Sequence, residues 1–361
     1  MVTTTRPAPA PETTPAPSLL GDWRREVVRV GPHNYAHWGS IRVGLSVVAP
    51  IAILALSGHP TLTLYAVFGA MAGIWGRHNT YGERLRVQSI MGVGMTVAVV
   101  AGTLSGLLAP GTYLPVAIMT VISIAGLLLS RSAGLLPVPS LFFVFAVGST
   151  SAVPHTPSDL VPATLLPLAA AAFAILVGQI GRLHPNAAAV KNPRRPAVRL
   201  VEVLRTPGVK LDIVRYGAGP LLAGGIATAV GIGHPYWAAV SATVPLAGVT
   251  LGSQLGRGTQ RFLGTVLGLA IAALVFSLNP PLIVLLVFVA ACQIWAELFS
   301  MRNYAITVIG VTPLALTMVH LASPLPIDQL IGQRFLETLI GVVVAAVVLI
   351  ATRPFVRRVS S

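Results

Sequence analysis

Twelve apolar stretches, each close to the length of a short membrane span, occupy this chain from residue 41 to residue 352. The first six run over 41–57, 61–76, 88–108, 112–130, 138–153 and 161–181. After a polar, basic interval come 216–232, 236–251, 262–278, 281–299, 304–321 and 332–352. In lipid every backbone N–H and C=O must find a partner within the protein, so such stretches are read as helices. Several are shorter than the ~20 residues of a perpendicular span. That shortness predicts local thinning, re-entrant geometry or depth lined by protein. The expected fold class is an all-α integral membrane protein with about twelve transmembrane helices.

Charge decides the orientation. The chain is 54% hydrophobic and only 9% charged, against about 45–50% and 25% in soluble domains. Its net charge of +14 would suggest nucleic acid in a soluble protein. Here the basic residues sit in short segments between apolar runs, the pattern of loops beside anionic lipid. Nucleic acid is therefore set aside as a partner, and the lipid bilayer takes its place. With the N-terminus inside, 23 of the 24 Lys and Arg residues fall in inside segments, and Arg334 is the exception. This predicts that both termini are cytoplasmic. Arg outnumbers Lys 22 to 2, usage typical of a GC-rich bacterial genome, so the expected location is a bacterial plasma membrane.

The two sets of six stretches are alike. GHPTLTLYAVFGAMAG begins at Gly58 and GHPYWAAVSATVPLAG at Gly233. The same offset of 175 pairs Gly73 with Gly248 and Arg86 with Arg261, and an offset of 169 pairs Asp159 with Asp328. Six spans return a chain to its starting side, so the halves are read as parallel repeats about an axis along the membrane normal. The expected divisions are a disordered, basic tail over 1–35, a first repeat over 36–183, a basic linker over 184–215, a second repeat over 216–354 and a tail over 355–361. Within the linker, VRLVEVLR (198–205) mixes apolar and basic positions and suits a helix on the membrane surface or a solvated connector. Residues 1–20 lack the apolar core of a secretory signal.

Few residues can carry chemistry. No phosphate-binding GxxxxGK[ST] loop, HExxH or nucleophile elbow occurs. The single Cys292 lies in an apolar run and reads as packing. The expectation is therefore no enzyme, no cofactor and no metal. Arg334 is the sharpest candidate, because an ion at membrane depth costs at least ~2.5–3.5 kcal/mol and faces a cavity or a partner. Glu337 lies three residues on, on the same helical face, and Asp328 just upstream. Arg334 would attract a carboxylate, with Glu337 orienting it or exchanging a proton; the bland alternative is a structural Arg–Glu pair. His59 and His234 occupy matched turns and could couple to protons, or simply cap those turns. Tyr236 and Trp237 open a span, where interfacial anchoring is the ordinary role and stacking on an aromatic cargo the other. Pro313 and Pro245 interrupt spans and leave carbonyls free, as in broken helices at binding sites. Glycine pairs such as Gly102/Gly106 and Gly264/Gly268 allow close helix packing, and the same small-residue faces would suit a homodimer.

Three segments carry a resemblance. HPYWAAVSATVPL (234–246), TQRFLGTVLGLAIAAL (259–274) and RNYAITVIGVTPLALTMVHLASP (302–324), continued by RFLETLIGVVVAAVV (334–348), cover most of residues 216–354. In this order they resemble the fusaric-acid-resistance-like (FUSC) transporter domain of the aromatic acid exporter superfamily. The resemblance implies export of small organic, often aromatic, acids driven by an ion gradient. Long members carry a large cytosolic domain, whereas the linker here is short. An uncoupled anion channel of the same architecture and a non-transporting membrane scaffold are the alternatives.

Overall fold

The computed structural model describes residues 18–32, 36–77, 79–109, 113–183, 197–322 and 326–355. The outer parts of both expected tails and residues 184–196 of the expected linker lie outside the described residues. Among the described residues the regular secondary structure is helical, with no strand. In chain order the helices are α1 (Leu19–Val28), α2 (Ala36–Leu56), α3 (Thr63–Ala70), α4 (Tyr81–Leu108), α5 (Tyr113–Ala133), α6 (Ser140–Ser151) and α7 (Leu160–Gln179). There follow α8 (Leu200–Arg205), α9 (Val209–Ala229), α10 (Tyr236–Thr243), α11 (Leu251–Ser277), α12 (Leu282–Phe299), α13 (Tyr304–Ala322) and α14 (Ile327–Ala351).

Eight of these are long and apolar enough to cross a membrane: α2, α4, α5, α7, α11, α12, α13 and α14. Each expected apolar stretch forms helix, but four do not reach that standard. α3 and α10 have eight residues each, about 12 Å of helix, well short of the ~30 Å hydrocarbon core. α6 has 12 residues. α9 has 21 residues but begins at Val209, inside the expected linker, and carries Lys210, Asp212 and Arg215. Large apolar side chains such as Ile53, Val121, Leu176 and Val347 point outward, as expected where lipid is the solvent.

The two short helices share a construction. α2 and α9 each end on a glycine with positive φ, Gly58 at 83° and Gly231 at 76°. In each case the next two N–H groups close the same pattern. Gly58 donates to the Ala55 carbonyl and His59 to that of Leu54; Gly231 donates to Thr228 and Ile232 to Ala227. This is the Schellman cap, for which glycine alone has no steric cost. After each short helix a 3₁₀ turn follows, Met71–Ile74 and Pro245–Ala247, then an extended residue, Trp75 or Gly248. Buried side chains satisfy the freed carbonyls: Gln88 donates to Gly73 and Trp75, and Gln254 to Gly248. Broken backbone at depth is tolerated only with such partners.

Packing follows one pattern in both halves. α4 lies on α6 and α7, as α11 lies on α13 and α14. α3 packs on α2 and α7, as α10 packs on α9 and α14. A side-chain carbon at Gly102 would stand 2.5 Å from the Val147 carbonyl oxygen, and one at Gly264 2.5 Å from that of Ala305, so only glycine permits these two close crossings. Between halves the contacts are reciprocal: α5 on α9 and α12 on α2, α6 on α10 and α13 on α3.

The expected tail over 1–35 contains a correction. Residues Leu19–Val28 are helical, capped by the Ser18 side chain, which accepts from the Gly21 N–H. α1 lies along α11. Trp23 Nε1 donates to Thr259 Oγ1 at 3.0 Å, Gln260 donates to the Glu26 carbonyl, and Arg257 pairs with Glu26 at 3.1 Å. The helix is short and polar, so its stability comes from this docking rather than from propensity. In the linker, α8 rests on α5 and α9 and buries Val203.

Candidate functional site

The site forms where α14, the start of α10, and the middle of α11 meet. Arg334 lies seven residues into α14 from Ile327 and is 2% exposed; it ranks with Trp75 and Trp237 among the largest fully buried side chains. Glu337, one turn on, is fully buried. The two do not pair: among the described residues neither has an ion-pair partner within 4 Å. The expected structural Arg–Glu pair is thus absent from the geometry. Instead the Arg334 guanidinium lies over the Trp237 ring, Cζ 4.5 Å from its centre. Such a contact is worth ~2 kcal/mol when desolvated. Glu337 Oε1 accepts the backbone N–H of His234 at 3.0 Å.

His234 is held from three sides. Its Nδ1 is 2.7 Å from Gln333 Oε1, its ring stacks on Trp237 with centroids 4.9 Å apart, and its N–H engages Glu337. Burial holds this imidazole below its ordinary range, and Arg334 adds to that effect while the Gln333 hydrogen bond opposes it. Tyr236 and Trp237 are buried rather than interfacial, which corrects the anchoring role read from their place at a helix start. Tyr236 stacks on Phe145 of α6 with centroids 6.1 Å apart, joining the two halves.

Arg261 is the residue that sequence reasoning misplaced. The sequence pattern places it in an inside segment, matched with Arg86. In the structure α11 begins at Leu251, capped by a reciprocal Thr250–Ser253 box. Arg261 therefore lies ten residues into the helix and is 2% exposed. Arg86, five residues beyond Tyr81, instead pairs with Glu83 at 2.6 Å. Arg261 Nε donates to Ser241 Oγ at 3.2 Å and Nη1 to Tyr304 OH at 3.5 Å. Its positive charge acts on Arg334. The available signal was the Thr250–Ser253 cap, which starts the helix ten residues before the apolar run is obvious.

The remaining candidates are not brought here. His59 is exposed, unlike His234, and Asp328 is exposed in the first turn of α14, where a carboxylate favours the helix N-terminus. Pro313 is buried in α13 against Gly268 of α11, with its carbonyl accepting from Thr317. Pro245 starts the 3₁₀ turn after α10.

Four donors in this cluster are buried without a hydrogen-bond partner: Arg334 Nε and Nη1, Arg261 Nη2 and Trp237 Nε1. One acceptor, Glu337 Oε2, is likewise unpaired. Two cations against one carboxylate leave an excess positive charge in an apolar setting. Isolated buried ions cost several kcal/mol each, and unpaired buried donors ~1–3 kcal/mol. Forked guanidinium donors match the two oxygens of a carboxylate. A cavity of about 450 Å³ lies on the α5–α6 side of Tyr236, lined by Val116, Met119, Gly148, His155, Pro235 and Tyr236 among others, and by none of Arg334, Arg261, Trp237, His234 or Glu337. It is within the size range of small-molecule sites.

Comparison with known proteins places this site within the matched segment. Residues 222–348 match the family described as fusaric acid resistance protein-like, and they contain His234, Trp237, Arg261, Arg334 and Glu337. A stretch of 112 residues, 31% of the chain, is 31% identical to the uncharacterized membrane protein YvaC of Bacillus subtilis (strain 168). The chain spans 18% of that protein's length. No solved structure matches. Eight helices long and apolar enough to cross a bilayer make the chain a multi-pass membrane protein, and its residues 222–348 are similar to the fusaric acid resistance protein-like family.

Proposed function

We propose that the protein is a secondary transporter that exports small organic acids, aromatic ones included, across a bacterial plasma membrane. The observation that carries this reading is the pair of buried, incompletely partnered guanidiniums, Arg334 and Arg261, beside Trp237. An incoming carboxylate supplies the missing acceptors, and an aromatic body finds Trp237, Tyr236 and the adjoining cavity. Glu337, unpaired at Oε2, is the competing anion and the group placed to exchange a proton. The description of the matching family, fusaric acid resistance protein-like, is in keeping with an acid as cargo.

The architecture proposed is two parallel six-helix repeats, with all twelve apolar helices at membrane depth and both termini cytoplasmic. The matched Schellman caps, the two short helices with their 3₁₀ turns, and the reciprocal contacts between halves support it. Arg257 pairs with Glu26 of α1, Arg302 donates to the Gly31 carbonyl and Arg77 pairs with Glu297 near the same end of α12, a basic cluster that supports a cytoplasmic place for that end. Arg334 then lies toward the outer side.

The test is flux of labelled benzoate in proteoliposomes under an imposed pH gradient, wild type beside Arg334→Gln. Gradient-dependent flux in the wild type and its loss in the variant are expected. Wild-type flux that ignores the gradient would favour the uncoupled channel. Undiminished flux in Arg334→Gln would remove the site from the transport path.

A further inference from the structure

A second cation cluster lies at the α1 end, where the first half meets α12. It is formed by Arg42 of α2, Arg77 of the turn after the first broken helix, Arg84 of α4 and Glu297 of α12. Three of these four are satisfied. Arg84 is buried and donates from Nε to the Gly76 carbonyl and from Nη1 to that of Gly178, both at 2.9 Å. Its Nη2 reaches the carbonyls of Arg77 and Asn79, and its guanidinium lies over the Tyr81 ring. Arg77 holds the Glu297 carboxylate in an ion pair that links the two halves, and Gln293 donates to the other carboxylate oxygen. Nearby Glu83 is engaged by Arg86.

Arg42 is the remainder. Its Nε and Nη2 are buried and have no hydrogen-bond partner. Among the described residues no carboxylate lies within 4 Å of it. Its charged neighbours are Arg84, Arg77 and Glu297, with Tyr81 beside them. Three guanidiniums therefore face one carboxylate, an excess of two positive charges. Carbonyl oxygens accept the Arg84 donors and Glu297 pairs with Arg77, whereas among the described residues Arg42 feels Glu297 only at a distance and has no hydrogen-bond partner at Nε or Nη2. In a low-dielectric setting this arrangement needs a further anion.

We propose that Arg42, with Arg77 beside it, binds an oxyanion at this end of the bundle, at a site separate from the Arg334 cluster. The ligand chemistry is a carboxylate or phosphate oxygen pair facing a guanidinium fork. Two sources carry it: the phosphate of an anionic lipid headgroup and the carboxylate of a transported acid. In the second case the site is an entry station, where the cargo competes with Glu297 for Arg77 and loosens the link between the halves.

The experiment uses the full chain in nanodiscs of phosphatidylcholine, with labelled benzoate and added phosphatidylglycerol as separate probes. Native mass spectrometry and equilibrium binding read retention of each by the wild type, Arg42→Gln, Arg42→Lys and Arg334→Gln. The expected result is that one probe binds the wild type and is weakened roughly tenfold or more in Arg42→Gln. Arg42→Lys should recover part of that loss, and Arg334→Gln should leave this site's binding in place even if it abolishes flux. Loss of benzoate identifies the cargo carboxylate, and loss of phosphatidylglycerol the lipid phosphate. Equal retention of both probes by the wild type and Arg42→Gln overturns the proposal. Should Arg42→Gln fail to fold, Glu297→Gln replaces it: removing the competing carboxylate should raise probe affinity, and an unchanged affinity overturns the proposal equally.

Discussion

Replacing Arg334 by methionine separates a binding role from a structural one. Methionine retains most of the stem and removes the charge. Lost with it is the contact with Trp237, ~2 kcal/mol for a desolvated cation–π pair. Gained is relief from burying a guanidinium with two unpaired nitrogens, a cost of ~1–3 kcal/mol for each unsatisfied donor group, and from repulsion by Arg261. The opposing effects are of similar size, so Arg334→Met should unfold within about 2 kcal/mol of the wild type. A structural Arg334–Glu337 pair would predict a loss of ~3–5 kcal/mol, but no such pair forms. Thermal unfolding in detergent, with and without benzoate, reads both properties. Benzoate at about one hundred times its Kd for this site should add ~2.7 kcal/mol to the wild type, and that contribution should be lost in the variant. A variant that unfolds far below the wild type yet keeps the benzoate shift would refute the reasoning.

Two further perturbations test the surroundings. Burial lowers the affinity of His234 for a proton in the folded chain. An unfolded histidine titrates near 6.5, so below that pH the unfolded chain takes up a proton that the folded chain refuses, and stability falls as pH drops. His234→Gln should lose less stability between about pH 7.5 and 5.5 than the wild type; an equal acid loss in both would dismiss His234 as its source. Trp23→Ala removes the hydrogen bond and ring that hold α1 on α11. Trypsin should then cut at Arg24, Arg25 and Arg29 several-fold faster than in the wild type, and an unchanged cleavage rate would show that α1 is not held by this contact.

Apolar run length made helices and membrane residence legible, because a bilayer leaves the backbone few choices. It located every helix from α2 to α14 other than the short α8, which the mixed VRLVEVLR pattern marked. It did not show where helices would be too short to span. α3 and α10 stop after eight residues, and only Pro245 marked one of the two breaks in advance. The α1 helix was illegible because its energy lies in contacts with α11, hundreds of residues away. At the site, Arg334 and Glu337 stood out as ions in an apolar stretch. Arg261 did not, since a basic residue just before an apolar run looks like a loop residue until its helix cap is found. Trp237 was seen, but its burial under a guanidinium depends on how α10 meets α14, which spacing along one chain does not encode.

The divergence of the two GHP turns explains why the site belongs to one half. In the first half, His59 follows the left-handed Gly58 directly and remains exposed. In the second half the corresponding left-handed residue is Gly231, and Ile232 and Gly233 intervene before His234. The GHP motifs therefore match in sequence at 175, while the caps match at 173. Two extra residues carry the chain on toward α14. There a side chain at position 233 would strike Gln333, with its first carbon 2.8 Å from Gln333 Nε2. Glycine lets the backbone approach, and His234 N–H reaches Glu337 as a result. That bond holds the carboxylate away from Arg334, which turns onto Trp237 and keeps two nitrogens free. In the first half, Leu165 and Leu168 stand at the positions offset by 169 from Arg334 and Glu337, and both are exposed. Two further residues before the histidine, and Arg and Glu where the first half has Leu165 and Leu168, thus distinguish the α10 turn from the α3 turn and accompany a buried guanidinium with unpaired nitrogens.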